Sequence, residues 1–356
     1  MLPRERDYAS AGRRVEAALR AGAELSGDAV IERLLEETAD VLQITSSCWH
    51  LTDPASGAPV SNSAIGDPPG SFGESVEYEF RRPDVNTFPQ LRAQRQPVAA
   101  ISVATGARLS DSLRYREMIE PAGSADELRI CFVDAFGIWA AFVGFTDRRM
   151  TPADLKFAAD LVAPAAGALR GASVARTGVE VVAGGGEGES TAPSVLIVDE
   201  DDRVIATDAT ARRRLALLGG GVPVPGLIAF LSAKARWGPA GEPATSQLRT
   251  PDGQWFVLDA SSLEQEGSCG SVAVVMRPAP AETVLDSVLR SLGLSARERE
   301  VAGLVVRGLP AKVIAARLSL SPWTVSDHLK AIYQKAGVNG RSGLAGLAGA
   351  GVVRSH

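Results

Sequence analysis

Residues 294–341 read LSAREREVAGLVVRGLPAKVIAARLSLSPWTVSDHLKAIYQKAGVNGR, and the last helix of this stretch organises everything around it. Ser321 suits an N-cap, and Pro322 suits the first helical position, where its missing N–H costs nothing. No residue from there to Lys335 breaks a helix, and Gly337 supplies the stop. At about 100° per residue, Val325, Leu329, Ile332 and Ala336 stack into one apolar stripe. Trp323, Ser326, Asp327, Lys330 and Gln334 fall on the opposite face. Upstream, residues 311–318 predict a shorter helix with Ile314, Ala315 and Leu318 inward, and Ser319-Leu320-Ser321 makes a tight turn between the two. Residues 296–306, capped by Ser295 and ended by Gly308, predict a third helix. Three short helices with a tight turn before the last follow the helix-turn-helix plan, in which the final helix enters the major groove.

The order of residues also resembles the DNA-binding domain of LuxR-type regulators. Leu294, Ser295, Arg297, Glu298, Glu300, Gly308, Lys312-Val313-Ile314-Ala315, Leu318, Ser321, Thr324-Val325, His328, Lys335, Gly337-Val338 and Arg341 carry the resemblance. It implies an all-α, four-helix domain over residues 293–356 with double-stranded DNA as partner. On the exposed face, Lys330 is the candidate for guanine O6/N7 and Asp327 for a cytosine amine. Ser326 suits either kind of base edge, and Trp323 a thymine methyl or the sugar wall. Lys312, Thr324, Lys335 and Arg341 are candidates for phosphate contacts, which set register but not sequence. Two departures stand out. Val313 occupies a position that is usually acidic in the family, which implies one ion pair fewer. The fourth helix, SGLAGLAGAGVV, often forms the dimer contact in the family; here Gly343, Gly346 and Gly349 each weaken it by roughly 1 kcal/mol. A homodimer is expected.

Charge agrees with a nucleic-acid partner at one end only. Residues 290–356 hold ten Lys and Arg against Glu298, Glu300 and Asp327, a net +7, while the chain as a whole carries −5. A basic tail on an acidic body is the result. With 356 residues, 45% of them hydrophobic and 22% charged, two or three soluble domains are expected. No run approaches 18 apolar residues, and the N-terminus MLPRERDYASAGRR lacks an apolar signal core, so a cytoplasmic protein off the membrane is expected. Cys48, Cys131 and Cys269 are odd in number and far apart, which suits neither a disulfide framework nor a thiolate metal site. With only His50, His328 and His356, no His-rich metal centre is expected. No cofactor and no catalytic constellation are read from the sequence, so an enzyme is not expected.

Residues 5–22 and 28–43 predict helices, the second capped by Asp28. SSCWHLTDPASGAPVSNS predicts a hairpin turning at Asp53-Pro54 and Ser56-Gly57. Helical stretches follow at 85–94 and 111–120, then two strands, 127–134 and 137–145. A helix opens at Thr151 with Pro152 and Asp154, to be bent or interrupted at Pro164. This order, with YREMIEPAGSADELR before a Trp-containing strand, resembles a GAF-type sensor domain as in actinobacterial LuxR-type proteins, here residues 1–177. The resemblance implies a small-molecule effector in a pocket between sheet and helices. Candidate lining is Trp49, Leu51, Phe88, Leu91, Tyr115, Met118, Ile119 and Trp139, although an apolar core reads the same way in one dimension.

Residues 178–193 predict a Gly-rich linker. VLIVDEDDRVIATDATARRRLALL then reads as strand, acidic turn, strand and helix. LRTPDGQWFVLDASSLEQEGSCGSVAVVMRP reads as three strands, the first pair turning at Asp252-Gly253. This resembles a PAS domain over 194–279. The fold class is therefore two α+β sensor domains with antiparallel sheets, a connecting helix at 280–292 and the all-α head. The alternative is a response regulator whose middle domain is a phosphorylatable receiver, with Asp259 or Asp201 as acceptor.

Overall fold

The computed structural model describes residues 3–21, 25–82, 84–177, 192–218, 224–250, 254–265 and 268–349. Strands β1 (Ile44–Leu51), β2 (Ser63–Ile65), β3 (Val98–Ala100), β4 (Asp126–Val133) and β5 (Ile138–Thr146) form an antiparallel sheet in the order β2-β1-β5-β4-β3. Helices α1 (Pro3–Ala21) and α2 (Gly27–Leu42) precede it. The helices α3 (Phe72–Phe80), α4 (Phe88–Gln94) and α5 (Ile101–Ala104) lie within it in sequence, and α6 (Pro152–Thr177) closes it. Side chains alternate along a strand, and here the alternation sorts two different surfaces. Trp49, Leu51, Leu128, Ile130, Phe132, Trp139 and Phe142 join α1, α2 and α6 in one apolar core. Cys48, His50, Glu127, Arg129, Cys131, Val143 and Phe145 point the other way, under α3 and α4.

Local rules explain the elements and their differences from expectation. Ser26, not Asp28, caps α2, accepting from the Ala29 N–H at 3.2 Å. Asp28 instead accepts from Trp49 Nε1 and Ser63 Oγ, both at 2.9 Å, tying α2 to the sheet. Helix α3 is additional to the expected elements; its signal is the Ser71/Glu74 capping box. The helix expected at 85–94 begins only at Phe88, after Thr87 and Gln90 form a second capping box, and 111–120 narrows to a π-helical turn at Tyr115–Ile119. Helix α6 starts at the expected Thr151/Asp154 pair but runs on through Pro164. Asp160, whose carbonyl loses its helical partner there, lies on the exposed side of the helix.

A second antiparallel sheet, with β6 (Ser194–Val198), β7 (Val204–Thr207), β8 (Ala244–Arg249), β9 (Trp255–Gln265) and β10 (Ser268–Pro278), has the order β7-β6-β10-β9-β8. Counted within each sheet, both run second, first, fifth, fourth, third. Helices α7 (Ala209–Leu218) and α8 (Val224–Trp237) cross between β7 and β8. A receiver requires a parallel, doubly wound sheet, so the phosphorylated-receiver alternative is corrected: every pairing here is antiparallel. Asp201 instead pairs with Arg203 at 2.6 Å and Asp259 with Arg277 at 3.0 Å. The expected turn at Asp252-Gly253 and nearly all of the Gly-rich linker lie outside the described residues.

Five helices end the chain: α9 (Ala281–Ser291), α10 (Ala296–Val306), α11 (Ala311–Arg317), α12 (Pro322–Ala336) and α13 (Gly340–Gly349). Their core holds Leu289, Leu294, Val301, Ile314, Val325, Ile332 and Leu344, all essentially inaccessible. Helix α13 forms despite its glycines. At Gly343 a Cβ would stand 2.9 Å from that of Val338, so the close approach needs glycine. No described helix is long and apolar enough to cross a membrane.

Candidate nucleic-acid interface and sensor cavity

Helix α12 is held at both ends as its residues dictate. Ser321 accepts from the Thr324 N–H at 3.0 Å, Pro322 takes the first turn, and Gly337 closes the helix in the left-handed region at φ 63°. Val325 and Ile332 are fully buried, with Leu329 and Ala336 packed beside them. That seam fixes which face turns outward. Trp323 is 76% exposed, and Ser326, Asp327 and Lys330 are exposed with it. Ser326 Oγ bonds back to the Pro322 carbonyl at 3.0 Å. Among the described residues, neither Asp327 nor Lys330 enters an ion pair. The indole and the two charged side chains thus stand together on the exposed face of the helix.

The four expected phosphate residues divide. Lys312 is exposed on α11, and the Thr324 hydroxyl shares a 2.8 Å hydrogen bond with Ser321. Lys335, by contrast, donates to both Glu298 oxygens at 2.9 and 2.7 Å, joining the last turn of α12 to the first turn of α10. Burial works against the Glu298 charge, but Lys335 and the Ser295 N–H and hydroxyl outweigh it and hold the carboxyl below its ordinary value. Lys335 thus pairs within the head while its side chain stays 40% exposed. Arg341 donates to the Leu309 carbonyl at 2.8 Å with one nitrogen and stays exposed. Val313, the departure from the family pattern, is 47% exposed on α11.

The second site is a cavity of about 650 Å³ between the first sheet and α3 and α4, with Phe230 and Lys234 of α8 on its far side. Of the eight expected lining residues, Phe88 and Met118 line it. Trp49, Leu51 and Trp139 are on the opposite face of the sheet, in the core under α1, α2 and α6. Leu91, Tyr115 and Ile119 are buried behind the wall. A period of two places Cys48 and His50 where Trp49 and Leu51 were expected, and that alternation was the available signal.

The cavity floor is charged. Glu127, 1% exposed, accepts from Arg114 Nη2 at 2.6 Å and Nε at 2.9 Å, and from Arg129 Nε at 3.0 Å. Arg129 also pairs with Glu79, and Arg114 lies 3.9 Å from Asp84. Burial opposes the Glu127 charge, yet the two guanidiniums hold the carboxyl below its usual range. His50 carries no charge: burial pushes it down to about 4, and its Nδ1–H donates to the Ser61 carbonyl at 3.1 Å. The tautomer follows from that bond and leaves Nε2 as an acceptor. Burial likewise lifts Cys48 to about 12 and Cys131 to about 11, so both thiols stay protonated.

The His50 environment has a measurable consequence. Its folded value lies below the unfolded one, so the unfolded chain takes up a proton first as pH falls. The stability His50 contributes is complete above about pH 6.5 and is lost towards pH 4, amounting to about 2 kcal/mol by pH 5. Urea unfolding at pH 7 and pH 5 is expected to show this loss in the native chain and to show it reduced in His50→Asn.

Residues 292–348 match the family model for bacterial regulatory proteins of the luxR family, so the helical head is a LuxR-type DNA-binding domain. No curated protein matches the sequence. Among solved structures, the Vibrio cholera VqmA–ligand–DNA complex is 19% identical, covering 46% of this chain and 87% of that one at a TM-score of 0.23. The phage VqmA–DPO complex is 19% identical over 44% and 82% of the two chains, with a TM-score of 0.21. The Escherichia coli DhaR(N)–DhaL complex is 15% identical over 76% and 90%, with a TM-score of 0.19. At these scores the superpositions do not establish a shared fold.

Proposed function

We propose that the chain is a cytoplasmic, dimeric transcription regulator. In this reading a GAF-like unit at 1–177 and a PAS-like unit at 194–279 control sequence-specific DNA binding by the head at 293–356. The outward face of α12, with Trp323, Ser326, Asp327 and Lys330 exposed above a fully buried Val325/Ile332 seam, carries the reading. Lys330 reads guanine, Asp327 a cytosine amine, and Ser326 and Trp323 the neighbouring edges. Lys312, Thr324 and Arg341 hold phosphates. The repeated strand order supports two related sensor units. The cavity supports a small-molecule effector.

Control needs a contact that differs between states, and α9 is placed to supply it. Ser287 Oγ donates to the Gln247 side chain of the second sheet at 2.6 Å. Arg290 reaches the Phe136 carbonyl of the first at 3.2 Å. Asp286 accepts from Arg299 of the head at 2.8 Å. A change in how the two sheets sit is thus transmitted to the head through one helix. Duplexes selected from a random pool, bound at several salt concentrations, test the function. Lys330→Ala is expected to weaken the selected duplex by about 1–3 kcal/mol and to relax one base position. An absence of any salt-sensitive duplex binding by the native chain overturns the proposal, and an unchanged Lys330→Ala footprint removes that residue from the reading set.

A further inference from the structure

The cavity is a compartment of both sheet units. Phe80 of α3 meets Phe230 of α8 edge to face, ring centres 5.3 Å apart, and Arg81 lies over the Trp237 ring at 5.3 Å. The cavity opens beneath this contact, so Phe230 and Lys234 face the same space as the first sheet. Its walls are largely apolar, including Phe72, Val76, Val143 and Phe145.

Two polar groups on the floor are unsatisfied by protein. Arg129 stacks under Phe88 at 4.9 Å and donates through Nε to Glu127 and through Nη1 to Glu79 and the Asn86 carbonyl. Among the described residues no acceptor engages its Nη2. His50 uses Nδ1 on Ser61, and none of the described residues engages its Nε2. The pairing Cys48–Val143–Arg129 places Arg129 two strands away from β1, and His50 sits one pair further along, opposite Ala141. The Cα atoms of Arg129 and His50 are therefore two strand spacings apart across the sheet and two residues apart along it, roughly 12 Å in all. Their surroundings carry both signs. The Arg129 cation is held between Glu79 and Glu127, and Lys234 at the far wall lies 3.7 Å from Glu242. Arg92 is exposed at the mouth. A carboxylate on the floor would meet Glu79 and Glu127, and an ammonium would meet Arg129.

We infer that the cavity takes an uncharged, largely apolar small molecule that presents an acceptor such as a carbonyl to Arg129 and a hydroxyl or N–H to His50. Held between the floor and Phe230, it joins the two sheet units, and α9 touches both. The inference rests on the sensor reading of this site and adds the chemistry of the ligand. The volume is that of an ordinary small-molecule site.

The test uses the full chain and two fluorescent probes of one skeleton. N-phenyl-1-naphthylamine is neutral and has one N–H; 8-anilinonaphthalene-1-sulfonate adds a fixed negative charge. The neutral probe is expected to bind saturably, one per chain, at least tenfold more tightly than the sulfonate. Ala141→Phe, which fills the floor, and Phe230→Ser, which opens the second unit's wall, are each expected to weaken it about tenfold. Ser75→Trp narrows the cavity from α3 and serves where either variant fails to fold by circular dichroism. Equal or tighter sulfonate binding, no saturable binding, or indifference to all folded cavity variants overturns the inference. Duplex binding measured on the same samples separates the two proposals. Probe binding without duplex binding sinks the regulator and spares the ligand class, and the reverse result sinks the ligand class alone.

Discussion

Glu127→Ala is expected to lower the stability of the first sheet unit by about 3–5 kcal/mol, the range for removing one partner from a buried ion cluster. Glu127 is the carboxylate shared by Arg114 and Arg129, all three of them 2% exposed or less. Without it, Arg129 retains Glu79, while Arg114 retains only the distant Asp84 and the Val85 carbonyl. Arg114 Nη1 is already buried without a hydrogen-bond partner, so the cluster has no slack on that side. Glu127→Gln keeps an acceptor but loses the charge, and an intermediate loss is expected. Urea denaturation followed by tryptophan fluorescence, with Trp237, Trp255 and Trp323 replaced by Phe in both proteins, reports on this unit through Trp49 and Trp139. A loss below about 1 kcal/mol for the alanine variant would place water among these side chains and count against a dry floor.

A cluster of this kind is rarely kept for stability, since apolar side chains of equal volume do as well or better. Its position explains it better: the same pairings that neutralise Arg129 also hold its guanidinium by the Phe88 ring, 4.9 Å from the ring centre, in the lining of the cavity. The paired charges brace the floor, and one Arg129 nitrogen is left without an acceptor among the described residues.

The tail was legible in the sequence to the level of single side chains. Ser321, Pro322 and Gly337 act within a few residues of themselves, and the stripe Val325–Ile332 repeats at the helical period, so the outward face follows without knowledge of distant contacts. The Lys335–Glu298 pair was not legible, because the two lie 37 positions apart and only the folded bundle brings them together. The first sheet was legible as strands and helices but not as a site. Trp49 and Cys48 are neighbours in sequence and point to opposite faces, and only the pairing with β5 decides which face meets helices and which a cavity. Arg114, Arg129 and Glu127 read as surface charges in one dimension. Their burial depends on α3 and α4, and α3 was announced only by its capping box.

Ile332→Asp is expected to abolish duplex binding, by at least about a thousandfold, while leaving the first sheet unit folded. Ile332 is wholly inaccessible in the cluster that includes Val301, Ile314 and Leu344, and a carboxylate there has no described basic side chain within the core to meet. An unpaired buried charge costs several kcal/mol, whereas a head of about 60 residues has only about 3–9 kcal/mol of stability to lose. Loss of that cluster, which Leu285 and Leu289 share, removes the apolar seat of α9 on the head, while its bonds to Gln247 and Phe136 remain. Calorimetry is expected to lose the head's transition and retain the other, with N-phenyl-1-naphthylamine binding unchanged. Lys330→Ala, two positions earlier, is expected to leave both transitions in place and alter only the duplex footprint. Simultaneous loss of both transitions in Ile332→Asp would mean that α9 welds the head to the sheets into one cooperative body, and control through a movable α9 would then have no physical basis.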